Sequence, residues 1–168
     1  MLHQPDIAGT PVSTAVMRVF DAAQVNAVVN HPAVLAGLSL GFDYLDVTPL
    51  IENPRNVFLM GEQGGAMFIW SAPGVYDAHD YFLPEGRGKW AMAASFAMLG
   101  IMFDAYGAEM IWAQTPIENR ACRLFNRILG FKSGGTESAI LIPGHPPCEV
   151  ELFVLKGGDL PPMSEGQI

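Results

Sequence analysis

Short apolar runs rich in β-branched and aromatic residues alternate along this chain with longer stretches whose apolar positions recur at helical spacing. Residues 16–20 predict a first strand, and Asp21 offers an N-cap for a helix running to residue 29, where His31-Pro32 interrupts it. A second helical stretch is predicted over 32–40, with proline in its first turn and Gly41 at its end. The texture then turns to strands at 57–60, 66–71 and 75–83, separated by a glycine-containing turn at 61–65 and by Ala72-Pro73-Gly74. These three predict an antiparallel meander. Residues 89–106 predict a long helix, apolar nearly all round and so covered on more than one side, with Gly107 as its stop. A strand at 110–114, an amphipathic helix at 118–129 ending at Gly130, and strands at 131–142 and 150–155 follow, the first kinked at Gly134-Gly135. This order predicts an α/β sheet with at least one parallel pair across the long helix. Residues 1–156 are expected to form one domain and the Pro/Gly-rich stretch 157–168 a flexible tail. Residues 21–51 are the hardest to read.

Composition narrows the function. A chain of 168 residues, half of them hydrophobic and 15% charged, suits one well-buried domain. With only nine Lys and Arg and a net charge of -8, it lacks a broad phosphate-neutralising surface, so nucleic acid is not expected as a partner. Local groupings, Arg87 with Lys89 and Arg120 with Arg123 and Arg127, still leave room for an anion site. Cys122 and Cys148 show neither metal-ligand spacing nor a disulfide framework, which points to a reducing cytoplasm. No basic leader precedes an apolar run. The longest uncharged apolar segment, 90–103, is shorter than the roughly 20 residues a bilayer span needs, so no membrane partner is expected.

The most informative stretch is YFLPEGRGKWAM, residues 81–92. A strand passes through a glycine-containing loop with Arg and Lys straight into a helix, whose unpaired N–H groups and dipole favour an anion. An ordinary strand-to-helix turn with two solvated cations is the competing reading.

Over residues 57–155 the chain resembles the GNAT acyltransferases. Phe82, Pro84, Glu85, Arg87 and Gly88 fall on the V-x-P-E-x-R-G-x-G loop of that superfamily, while Trp90 and Met92 replace its two small residues. Asn119, Cys122, Phe125, Gly130 and Phe131 match a second spacing of the superfamily in the right order. The resemblance implies an α/β (α+β) fold: a mixed, mostly antiparallel sheet of about six or seven strands flanked by helices. It also implies acetyl-CoA as co-substrate. Backbone at Arg87, Gly88, Lys89, Trp90 and Ala91 would hold the pyrophosphate, Phe82 and Leu83 would pair with pantetheine, and Asn119 would contact the cofactor arm. The side chains of Arg87 and Lys89 could reach phosphate oxygens directly.

The third meander strand carries Asp77, His79 and Asp80, with alternation placing Asp77 and His79 on one face and Asp80 on the other. His79 and Asp80 are the catalytic candidates, since an imidazole titrating near neutrality can deprotonate an ammonium; structural or solvated roles remain the alternative. Where the superfamily often has a tyrosine acid, this chain has Asn126, whose amide cannot supply a titrating proton. Tyr81 and Tyr106 are not placed by the sequence. Asp43 and Asp46 read as loop residues, Cys122 as core, and His3, His31 and His145 as unconnected with any metal site. Two functions follow: direct acetyl transfer to a small-molecule or protein amine, or a catalytically silent GNAT-like binding protein of the kind found among bacteriophage gene products. Pairing into a homodimer is left open.

Overall fold

A computed structural model describes residues 14–37 and 42–163. Seven strands form one sheet: β1 (Met17–Arg18), β2 (Val57–Gly61), β3 (Gly64–Ala72), β4 (Val75–Phe82), β5 (Met110–Pro116), β6 (Lys132–Ala139) and β7 (Cys148–Lys156), in the order β1-β2-β3-β4-β5-β7-β6. Every pairing is antiparallel except β4 with β5. That parallel pair requires a crossover, which the long helix α4 (Lys89–Ala105) supplies. The meander closes through the two-residue turn Glu62-Gln63, where Gly64 at φ 116° adopts a conformation open to glycine. The kink in the sixth strand is a bulge between Ser133 and Thr136, with Gly135 at φ 101°.

The remaining helices are α1 (Ala22–Val29), α2 (Pro32–Gly37), α3 (Thr48–Ile51) and α5 (Arg120–Ile128). Asp21 caps α1 by accepting from Ala23 N. The second helix, expected to reach residue 40, ends at Gly37 among the described residues, and 38–41 lie outside them. α3 was not anticipated, because four residues carry too little periodicity to announce a helix. Its position depends on two asparagines one turn apart, Asn26 on α1 and Asn30 as the C-cap of that helix. Asn30 Oδ1 accepts from Leu45 N at 2.7 Å and Asn26 Oδ1 accepts from Val47 N at 2.9 Å, so side-chain amides replace a backbone partner for the loop before α3.

Apolar residues pack on both faces of the sheet. On one face α4 covers Leu59, Phe68, Ile111 and Phe153 with Ala94, Met98 and Met102. On the other, Val25 and Val29 of α1 and Val34 of α2 close over Phe58, Met67 and Tyr81. The stretch after β7 begins with a 3-10 turn at Gly157–Asp159; Leu160 then packs against the first cluster, and Lys132 Nζ reaches Asp159 at 2.8 Å. Residues 164–168 lie outside the described ones.

One ionic cluster ties α5 to the sheet. Glu151 on β7, 3% exposed, accepts from Arg123 Nε and from Arg127 Nη2, each at 2.6 Å. Two of the three arginines grouped at 120–127 are therefore committed internally. Burial raises the pKa of Glu151, but contacts from Arg123, Ser133 and Arg127 outweigh it and hold the carboxyl below its ordinary value. The carboxylate is covered largely by its own partners, one of them 45% exposed, so solvent moderates the attraction. A depressed folded pKa gives stability that is present above the unfolded value and lost as pH falls through the folded one. We expect Glu151→Gln to lower unfolding stability by about 1–3 kcal/mol at neutral pH and to flatten its loss in acid, measured by denaturant titration at several pH values.

Candidate functional site

The parallel ladder between β4 and β5 is short: Val75, Tyr76 and Asp77 pair with Met110, Ile111 and Trp112, and pairing stops there. Both strands continue, β4 along β3 to Phe82 and β5 along β7 to Pro116. Their inner edges thus face a notch without a strand partner. Leu83 N donates to Gln63 O, which by the alternation of an antiparallel ladder turns the main-chain groups of Ala78, Asp80 and Phe82 toward the notch. The expectation that Phe82 and Leu83 both offer backbone to a ligand is narrowed to Phe82, because Leu83 O also accepts from Gly86 N.

At the head of β4, a 3-10 turn (Pro84–Gly86) leads through Arg87 and Gly88 into α4. Gly88 has φ 89° and ψ -128°, a conformation reserved for glycine, and a β-carbon built there would meet nothing within 4 Å. No side chain caps α4, and the first turn contains no acidic residue. The first amides of an α-helix have no intrahelical acceptor, and those of Lys89 and Ala91 belong to this first turn. Lys89 is exposed, whereas the Ala91 side chain is buried.

The Trp90 indole turns inward. It meets Phe82 edge to face at 6.1 Å between centroids, and a β-carbon added to Gly61 would lie 3.0 Å from its ring. Two glycines, Gly61 and Gly86, provide the space for it, so the large side chain does not cover the loop. Arg87 has a partner that no local pattern could announce: its Nη2 donates to Ala33 O of α2 at 2.8 Å. The guanidinium thereby links the loop to the helices on the other face of the sheet.

α5 forms the far wall of the notch. Asn119 caps it, Oδ1 accepting from Cys122 N at 3.1 Å. Phe125 packs edge to face on Phe82 at 6.3 Å. Asn126, at the position where the superfamily often has a tyrosine acid, is 8% exposed and donates to Thr115 Oγ1 at 3.1 Å. It is a satisfied structural amide. Burial and the charge of Asp80 push the Cys122 thiol up to about 12 against the opposing contact from Thr115, so it stays protonated and is no nucleophile.

On β4 itself, alternation holds. Asp77 and His79 share the face covered by α1 and α2, and His79 Nε2 lies 2.9 Å from Asp77 Oδ2. His79 is 49% and Asp77 20% exposed at the side chain. Surrounding protein lowers the His79 pKa, but the hydrogen bond and charge of Asp77, with the charge of Asp80, outweigh this and raise it above its ordinary value. With Nε2–H donating to Asp77, Nδ1 is the nitrogen left to accept a proton. Asp80 projects to the opposite face; desolvation raises its pKa, opposed by its own backbone N–H and the charge of His79. Both residues are exposed. A separate cleft of about 580 Å³ at the β1 edge, lined by residues including Met17, Phe20, Gln24 and Glu62, contains no residue of β4, β5 or α5. No helix of the described residues is long and apolar enough to cross a membrane.

No protein-family model matches the sequence, and no curated protein matches it significantly. Solved structures do match. A spermidine N-acetyltransferase from Vibrio cholerae, in complex with CoA and spermine, aligns over 86% of this chain and 96% of its own, with TM-score 0.69 and 12% identity. The putative acetyltransferase yncA from Salmonella typhimurium, with its cofactor acetyl-CoA, covers 90% and 98% at TM-score 0.69 and 16% identity. A GNAT-family acetyltransferase from Bacillus anthracis covers 86% and 96% at TM-score 0.66 and 15% identity. Nothing in these sources supports a phage origin. At such identities the likeness is one of fold, and the chain has the GNAT N-acetyltransferase fold.

The loop geometry is testable apart from any ligand. Gly88→Ala meets no atom within 4 Å, so its penalty comes from backbone conformation alone. We expect a loss of about 1–3 kcal/mol in chemical denaturation; an unchanged midpoint would show that residue 88 does not hold a positive φ.

Proposed function

We propose that this chain is an acyl-CoA-dependent N-acyltransferase that moves an acetyl group from acetyl-CoA to an amine by direct attack. The observation carrying this reading is that β4 parts from β5 and delivers directly into an α4 N-terminus with no side-chain cap. An unpaired strand edge suits an extended amide-bearing arm, and a helix N-terminus without a side-chain cap suits its pyrophosphate. When bound, acetyl-CoA supplies an activated thioester. The amides from Gly88 to Ala91, with Lys89 and Arg87, hold the phosphates; Arg87 shares its five donors between them and Ala33 O. The Phe82 backbone aligns the arm, and Asn119 stands at the end of the notch.

His79 takes the proton of the incoming ammonium at Nδ1, and Asp77 fixes the imidazole orientation through Nε2. Asp80, whose side chain lies on the opposite face of β4 from His79, would give its proton to the departing CoA thiolate, a role that the amide of Asn126 cannot fill. A net charge of -8 favours cationic acceptors, in keeping with the amine named for the Vibrio cholerae structure. This chemistry suits a cytoplasmic protein. The second reading, a catalytically silent protein that binds a partner, is favoured by the internal hydrogen bonds of Asn126 and Arg87.

Acetyl-CoA titration by calorimetry tests the acyltransferase reading, and turnover across a panel of amines then separates it from the second. Binding that weakens about tenfold in Arg87→Ala is expected, and no heat or thermal shift at millimolar cofactor would end the acyltransferase reading. Because the folded His79 pKa is raised, its base form is populated only above that value. The rate should therefore rise with pH through a midpoint above the ordinary 6.5, and Asp77→Asn should move that midpoint down. A pH–rate profile unaltered in His79→Gln would remove His79 as the base.

A further inference from the structure

One face of the sheet is covered only in part. α1 and α2 close over β2, β3 and β4, and no residue of β5, β6 or β7 belongs to their apolar cluster. Ile111 on β5 and Phe153 and Leu155 on β7 point to the α4 side, so by alternation Met110, Trp112 and Gln114 of β5, with Leu152 and Val154 of β7, point to the α1 side. All five are half-buried, and the four apolar ones pack into neither core cluster. They form an apolar floor beside the helical layer.

This floor adjoins the proposed base. Trp112 is the partner of Asp77 in the last rung of the parallel ladder, and Asp77 holds His79. The indole is pinned: its Nε1 donates to Ser71 Oγ at 3.1 Å, and because Ser71 belongs to β3 the ring lies across β4. At the loop end, Phe42 meets His145 of the β6–β7 loop with ring centroids 6.4 Å apart. Phe42 stands just ahead of Leu45, which Asn30 attaches to α1, so this contact runs from the helical layer to the hairpin beyond β5 and bounds the floor there.

The extent of the floor favours a small molecule over a protein. Its apolar side chains are half-buried rather than exposed, and four of them offer far less than the roughly 800 Å² per partner that a stable protein interface buries. Beyond β5 the carboxylate of Glu137 already has a donor, Gln114 Nε2 at 2.8 Å. A second ammonium laid over Leu152 and Val154 would lose hydration without a free counter-charge, whereas a hydrocarbon group would gain by leaving water.

We infer that this floor binds the apolar body of the amine acceptor while His79 receives its nitrogen, and that Trp112 is the residue that sets the preference. On the acyltransferase reading, on which this rests, the acceptors are primary monoamines carrying an aromatic or branched hydrocarbon group.

Calorimetric titration of the full chain with phenethylamine, ethylamine and diaminobutane, with and without CoA, tests the preference. Phenethylamine is expected to bind about tenfold more tightly than ethylamine, with diaminobutane weaker than phenethylamine. Trp112→Ala should bring the ratio of phenethylamine to ethylamine affinity down to about one. Val154→Thr keeps the side-chain shape and so the fold, and its hydroxyl should lower the ratio about threefold. Equal affinity of phenethylamine and ethylamine for the native chain, no binding of any amine, tighter binding of diaminobutane, or a ratio unchanged in Val154→Thr would overturn the inference. A native dimer that either substitution makes monomeric in analytical ultracentrifugation would do the same, because the floor would then belong to a second copy. Acetyl-CoA titration is read separately: phenethylamine selectivity without cofactor binding keeps the floor as an amine site and removes the transferase, and cofactor binding without selectivity does the reverse.

Discussion

Parallel pairing between β4 and β5 stops at Asp77 and Trp112, and the arrangement of the candidate site extends outward from that stop. Each strand is held on its outer side by a full antiparallel ladder, with β3 or with β7, so neither can swing across to close the gap. The inner main-chain groups of β4 are left facing a notch, and the strand's continuation places the N-terminus of α4 at its head. An extended ligand with an anionic end fits both features at once. Either one alone would be a common feature of α/β proteins.

What surrounds the notch is arranged to keep it open. Phe82 packs between Trp90 and Phe125, which draws the large indole into the core beside Gly61 and Gly86. α5 stays in place because Glu151 holds two of its arginines and Thr115 receives Asn126. Polar groups near the cleft are thus divided. Those of α5 are internally satisfied and structural, whereas Asp77 and Tyr81 on β4 retain unmet hydrogen-bonding capacity.

A hydrogen bond from Arg87 joins the α4 loop to α2 on the other face of the sheet. On that face Asn26 and Asn30 attach the segment before α3 to α1, so side-chain amides and a guanidinium fix elements whose own backbones do not pair.

The order of strands and helices, the glycine-rich loop with Arg87 and Lys89, and the spacing from Asn119 to Phe131 are all legible along the chain, because periodicity and helix termini are local properties. The sharing of one strand face by Asp77 and His79 is legible for the same reason. Tertiary structure alone decided where β4 and β5 separate, which way Trp90 turns, and that Arg87 meets a carbonyl 54 positions away. It also decided that Asn126 is satisfied and that the Tyr81 hydroxyl is not. These outcomes depend on contacts between segments far apart in sequence, where packing and desolvation determine which donor finds which acceptor, and no local pattern encodes that choice.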